Sequence, residues 1–166
     1  MLQALASFKH TQNMIKLKNI ENSIELQLAV TGYQFPENSE DDWCLVKAVV
    51  IQDNNKFEVT DPALETTEVT RILEWFKCLS LHKLPRFSKL SFTEPCLEFE
   101  FLACNNGKVR ISVNLSHEMK PSFEINQFNR QSNNWNIIFE LCANDFKSII
   151  DNMESVLIQY PIRDKS

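Results

Sequence analysis

The amino-acid sequence predicts an α+β protein, an antiparallel sheet of about six to seven strands with two main amphipathic helices packed on it. Three observations carry this. Several short stretches alternate apolar and polar residues with period two, and two longer stretches switch to helical spacing. The strands also follow one another through turn-sized connections, which makes neighbours antiparallel and argues against a doubly wound parallel sheet.

The first strand spans residues 23–31, with Ile24, Leu26 and Leu28 on one face and Glu25 and Gln27 on the other. Gly32 to Asp42 is polar, contains Pro36 and reads as a loop. Trp43 to Ile51 is an apolar run broken by Lys47, the pattern of a central strand, and Asp53-Asn54-Asn55 turns it into a returning strand over Lys56–Thr60. Asp61-Pro62 is read as a helix start, because Asp caps exposed amides and Pro is tolerated at the first helical position. Val69, Ile72, Leu73, Phe76 and Leu79 then form one apolar stripe.

Leu97–Ala103 and Val109–Leu115 form a hairpin around Asn105-Asn106-Gly107. Treating all three residues as a bulged loop sets Phe101 opposite Ile111, Phe99 opposite Val113, Leu97 opposite Leu115 and Glu100 opposite Ser112. That register keeps the two faces chemically distinct. Ser116–Ser132 is an irregular connection, and Trp135, Ile137, Phe139 and Leu141 alternate as another strand. Asn144 is expected to cap a last helix carrying Phe146, Ile149, Ile150, Met153, Val156, Leu157 and Tyr160. No internal repeat or domain boundary is visible, so residues 1–166 read as one domain. Met14 can serve as an alternative start, which would leave 1–14 as a frayed extension.

Composition bounds the function. A 166-residue chain that is 43% hydrophobic and 23% charged can bury one substantial core. A net charge of −5 has the wrong sign for nucleic acid and is compatible with a basic protein partner. No stretch approaches the roughly 18 apolar residues of a membrane span, and the mixed N-terminus does not read as a signal peptide. Five dispersed cysteines, odd in number and without a C-x-x-C pair, read as free thiols of a reducing, cytoplasmic compartment.

Catalytic patterns are sparse. Two glycines cannot build a phosphate-cradling loop. His10, His82 and His117 belong to no metal-ligand spacing, so neither metal nor cofactor is expected. Glu94, Glu98 and Glu100 lie close together, with Glu98 and Glu100 on one strand face. A carboxylate pair can do acid–base work, but the polar side of a half-buried strand or a protein-binding face has the same appearance. Glu65, Glu68, Arg71 and Glu74 make a charged helix face flanked by Trp75, which reads first as a solvated face and, with the aromatic at its edge, as an alternative docking surface. The expected partner-binding residues are therefore Glu68, Trp75, Glu94, Glu98 and Glu100.

Several blocks in order resemble the WapI family of bacterial immunity proteins: Gly32-Tyr33-Gln34-Phe35-Pro36, Asp42-Trp43-Cys44-Leu45, Asp61-Pro62-Ala63-Leu64 with Thr66 and Glu68, Leu73-Glu74-Trp75, Phe92-Thr93-Glu94-Pro95-Cys96-Leu97, and Glu118 to Pro121. The resemblance runs from about Ile24 to Pro121 and departs at Glu65, where the family pattern favours an apolar residue. It implies a protein without catalysis that binds and neutralises the cognate C-terminal domain of a polymorphic or contact-dependent toxin. Such domains are often basic nucleases, which suits an acidic binder. Phe35, Phe92 and Phe99 are expected as buried fold determinants, with partner choice left to surface side chains. The competing expectations are an adaptor domain of the same fold and a hydrolase built on Glu94 and Glu98.

Overall fold

The structure, a computed structural model, describes residues 13–19, 21, 23–124 and 135–163. Its element order is β1 (Ile15–Asn19), β2 (Ile24–Tyr33), β3 (Trp43–Gln52), β4 (Asn55–Glu65), α1 (Thr66–Ser80), β5 (Lys89–Ser91), β6 (Leu97–Asn105), β7 (Lys108–Leu115), a short 3-10 turn (His117–Met119), β8 (Trp135–Leu141) and α2 (Ala143–Gln159).

The fold class is α+β, but the strands form two four-stranded sheets, β1-β2-β3-β4 and β5-β6-β7-β8, rather than one sheet of six to seven. Each sheet is an antiparallel meander followed by a helix, so the chain repeats one structural unit of four strands and a helix that its sequence does not show. β1 and β5 escaped the sequence reading because five and three residues carry too little alternation to stand out. The two sheets meet where β1 lies beside β8, with the Asn19 side-chain amide donating to the Ile138 carbonyl. One continuous hydrophobic cluster draws on both sheets and both helices, from Leu26, Val46 and Val50 through Ile72 and Phe76 to Phe99, Ile111, Phe139 and Met153. Met14 is part of it: its side chain is fully buried and its amide donates to Leu28 O at 2.8 Å. Residues 1–12, most of the expected extension, lie outside the described residues.

Asp61-Pro62 does not start α1. Both lie in β4, with Pro62 opposite Leu45 across a bulge in the β3–β4 ladder. β4 is an edge strand, where a residue without an N–H is tolerated. The helix starts four residues later, capped by Glu65 in a reciprocal capping box with Glu68. The acid that departed from the family pattern is thus the helix cap. α2 is likewise capped earlier than expected, at Cys142, whose amide donates to Asp145 Oδ2 at 2.8 Å.

The β6–β7 pairing has the expected register, including Phe101 opposite Ile111 and Glu100 opposite Ser112. The device that sets it differs. Asn106 and Gly107 have φ of 51° and 74°, and Asn105 pairs with Lys108, which makes a two-residue turn of the kind Asn-Gly favours. The extra residue is instead absorbed in a bulge between Phe101 and Ala103. This pushes Leu102 outward.

Candidate partner-binding surface

The recurrent sequence blocks converge on two junctions inside the molecule. At the first, β2 runs through Tyr33 and the loop 34–42 returns to β3. Asp42 is buried, and its Oδ1 accepts from the Thr66 hydroxyl at the head of α1 and from the Arg163 amide at 3.2 Å. The Arg163 guanidinium stands 3.5 Å over the Tyr33 ring and donates to four carbonyls of the loop: Phe35 (2.9 Å), Pro36 (2.8 Å), Asn38 (2.6 Å) and Asp41 (3.0 Å). Tyr33 Oη donates in turn to Pro161 O at 2.6 Å. The loop is therefore closed by the far end of the chain. Its backbone faces inward and the Phe35 ring, expected to be buried, stands half exposed.

At the second junction Glu68 binds the turn before β6. Its Oε1 accepts from the Thr93 amide (2.8 Å) and hydroxyl (2.9 Å), and its Oε2 accepts from the Glu65 amide (2.9 Å). The Ser116 hydroxyl donates to Pro95 O at 2.6 Å and its amide to Cys96 O at 3.0 Å, which fastens the end of β7 to the same turn.

This bears directly on the expected docking residues. Glu68 and Trp75 do not stand on an exposed helix flank; they are 5% and 4% exposed. Trp75 packs at an angle on Phe76 and Phe99 and donates its indole N–H to Phe87 O at 3.0 Å. Each holds a surface segment from behind, Glu68 the Thr93-Glu94 turn and Trp75 the stretch after α1. Glu94 is exposed on its turn. Glu98 and Glu100 share the polar face of β6, as the alternation predicts, beside Lys89 and Ser91 of β5. Glu98 is bonded on both oxygens, by Lys89 Nζ at 2.9 Å and by the Ser91 hydroxyl at 3.2 Å. The bond to Glu98 and its charge raise the Lys89 ammonium above its ordinary pKa. Such pairing is what the polar face of a sheet requires for itself, and it leaves Glu98 a structural acceptor as much as a free acid.

No cluster of three metal-ligating side chains occurs among the described residues, and no helix among them is long and apolar enough to cross a membrane. All five cysteines are free. Burial, reinforced by the charge of Asp42, pushes the Cys44 thiol up to about 12, and burial beside Asp61 pushes Cys96 up to about 11. The thiolate is the reactive form, so a thiol-titrating disulfide reagent at pH 8 is expected to label exposed Cys104 and Cys142 rapidly in the native protein and Cys44 and Cys96 only on unfolding. Labelling of Cys44 at the rate of Cys104 would contradict the packing described above.

The sequence reading passed over Asp42 as a buried anchor, Arg163 and the stretch Leu81–Ser88. Only the last carried a signal, namely Leu81, Leu84 and Phe87 recurring beyond the helix around Pro85 with no stripe to join.

No functionally curated protein matches the sequence. The pattern of the immunity protein WapI-like family, however, matches residues 15–161 and so takes in both sheets, both helices, the second junction and all of the first except Arg163. With nearly its whole length covered, the chain belongs to the immunity protein WapI-like family.

Proposed function

We propose that the protein is a cytoplasmic immunity protein that binds the C-terminal toxin domain of a polymorphic or contact-dependent toxin and blocks it by occlusion, without catalysis. The observation that carries this reading is the family match over residues 15–161. The chemistry of the carboxylates supports binding over turnover. Glu98 is tied to Lys89 and Ser91, and Glu68 spends its lone pairs on three backbone and hydroxyl donors. A net charge of −5 suits a basic toxin domain such as a nuclease, with long-range attraction speeding encounter. Within this reading Glu94, Glu98 and Glu100 offer the acidic surface, Glu68 positions the Glu94 turn from behind, and Trp75 positions the neighbouring stretch after α1.

Calorimetric titration with the purified C-terminal domain of the toxin encoded beside this chain tests the proposal. Stoichiometric binding with a dissociation constant in the nanomolar range is expected, about −12 kcal/mol. No heat from two folded proteins would refute it. Reversing both charges, Glu98→Lys with Glu100→Lys, is expected to slow association at low salt if this face meets a basic partner. An unchanged rate and salt dependence would remove that face from the interface.

A further inference from the structure

We infer that the anchor of the toxin contact is the segment between α1 and β5 together with the bulged Leu102, and that it takes a protein face apolar at its centre and acidic where it meets Lys83 and Arg86. This rests on the proposed function and names the place and the partner chemistry.

Four large apolar side chains gather here: Leu84 is 80% exposed, Leu81 65%, Phe87 55% and Leu102 42%. The backbone beneath them is fixed. The Trp75 indole donates to Phe87 O (3.0 Å) and the Phe101 amide to Ser88 O (2.7 Å). The Lys83 amide donates to Cys78 O (3.2 Å), and the Cys78 thiol reaches Leu84 O (3.5 Å). Cys104 Sγ meets His82 Nδ1 at 3.4 Å, so the segment is tied to β6 on both sides of Leu102. With its polar backbone atoms held inward, the segment turns its apolar side chains out, already ordered. A contact made on such a surface loses little conformational entropy, and an exposed apolar cluster rimmed by charge, with an aromatic in it, marks a protein interaction site.

The local charge fixes the partner's sign. Residues 81–89 carry Lys83, Arg86 and Lys89 and no acid, in a chain of net charge −5. Lys89 is neutralised by Glu98. Among the described residues Lys83 and Arg86 enter no ion pair, and the Arg86 guanidinium lies 5.3 Å from the Phe87 ring centroid. The segment's own contribution to the rim, Lys83 and Arg86, is therefore positive, beside the acidic Glu98 and Glu100 of β6. Lys83 and Arg86 complement carboxylates on the part of the toxin domain that this segment meets, while Glu98 and Glu100 beside them face its basic groups.

The test uses the full chain and the C-terminal domain of the adjacent toxin, titrated by calorimetry at two salt concentrations, with light scattering on the same samples. Leu84→Ser combined with Phe87→Ser is expected to weaken binding at least about 100-fold, since truncating central anchors removes most of the contact energy. Lys83→Glu with Arg86→Glu is expected to weaken it about tenfold through local repulsion at this contact. Leu84→Ser alone, at the most exposed of the four apolar side chains, serves if the double variant fails to fold, with about tenfold weakening expected. Affinities within about twofold of the unaltered chain, or loss confined to Glu98→Lys with Glu100→Lys, would overturn this inference while leaving the proposed function intact. A dimer of the unaltered chain that the apolar double variant splits without changing toxin affinity would give the surface to a second copy and overturn it too. No binding by the unaltered chain overturns the proposed function, and this assignment with it.

Discussion

Substituting Phe76 by alanine is expected to lower the unfolding free energy by about 4 kcal/mol, the usual cost of removing a fully buried ring. Phe76 is fully buried at the middle of the shared core. It meets Phe99 of β6 edge-to-face with centroids 5.8 Å apart, and Phe146 of α2 at 6.4 Å. The ring thus joins the first helix to the second sheet and the second helix. Urea unfolding should show a lower midpoint with an unchanged slope, and the melting temperature should fall by about 10 °C. A loss below about 1 kcal/mol would mean that the two units do not share one core at this ring.

The second large effect is expected at Glu68. Glu68→Gln keeps the shape but replaces one carboxylate oxygen with an N–H donor. All three partners of that carboxylate are donors: the Thr93 amide, the Thr93 hydroxyl and the Glu65 amide. Whichever way the new amide is turned, a donor faces a donor at a buried position, so the substitution is expected to cost about 3 kcal/mol. Hydrogen exchange locates the damage. The Glu65 and Thr93 amides should lose protection before the strands of the first sheet do. Wild-type protection at both would show that these bonds do not hold the turn. Because the same carboxylate holds the turn bearing Glu94, a binding defect in this variant would come from a displaced loop and not from a lost contact.

Much of the fold was legible in local pattern. Strands such as β8 announced themselves by alternation, and the β6–β7 register followed from keeping Phe99 and Phe101 on one face and Glu98 and Glu100 on the other. What was not legible depended on partners distant in sequence. Pro62 reads as a helix start until the ladder places it on an edge strand opposite Leu45. Glu68 reads as a solvated helix acid until Thr93, 25 residues on, turns its donors toward it. The same holds for Trp75, whose indole finds Phe87 O beyond the helix. The Asp42–Arg163 pairing bridges 121 residues and has no local sign at all. The candidate surface fared likewise. Alternation gave the Glu98/Glu100 face, whereas the exposure of Leu102 comes from a bulge that the composition of the hairpin does not specify.

The edges of the two sheets bear on how a partner can be recognised. A protein can capture another chain by letting it join a sheet as one more strand, a mode that needs a long, flat, unpaired edge. Here the first sheet ends in β4, interrupted by Pro62, with the 3-10 turn at His117–Met119 lying against it. The second ends in β5, which offers three residues. At the opposite sides β1 and β8 face each other. Backbone pairing, which is nearly blind to sequence, has little to hold on to, and the same arrangement guards against self-association edge to edge. Under the proposed function, discrimination between one toxin and another falls to side chains, which can change without disturbing the ladder beneath them.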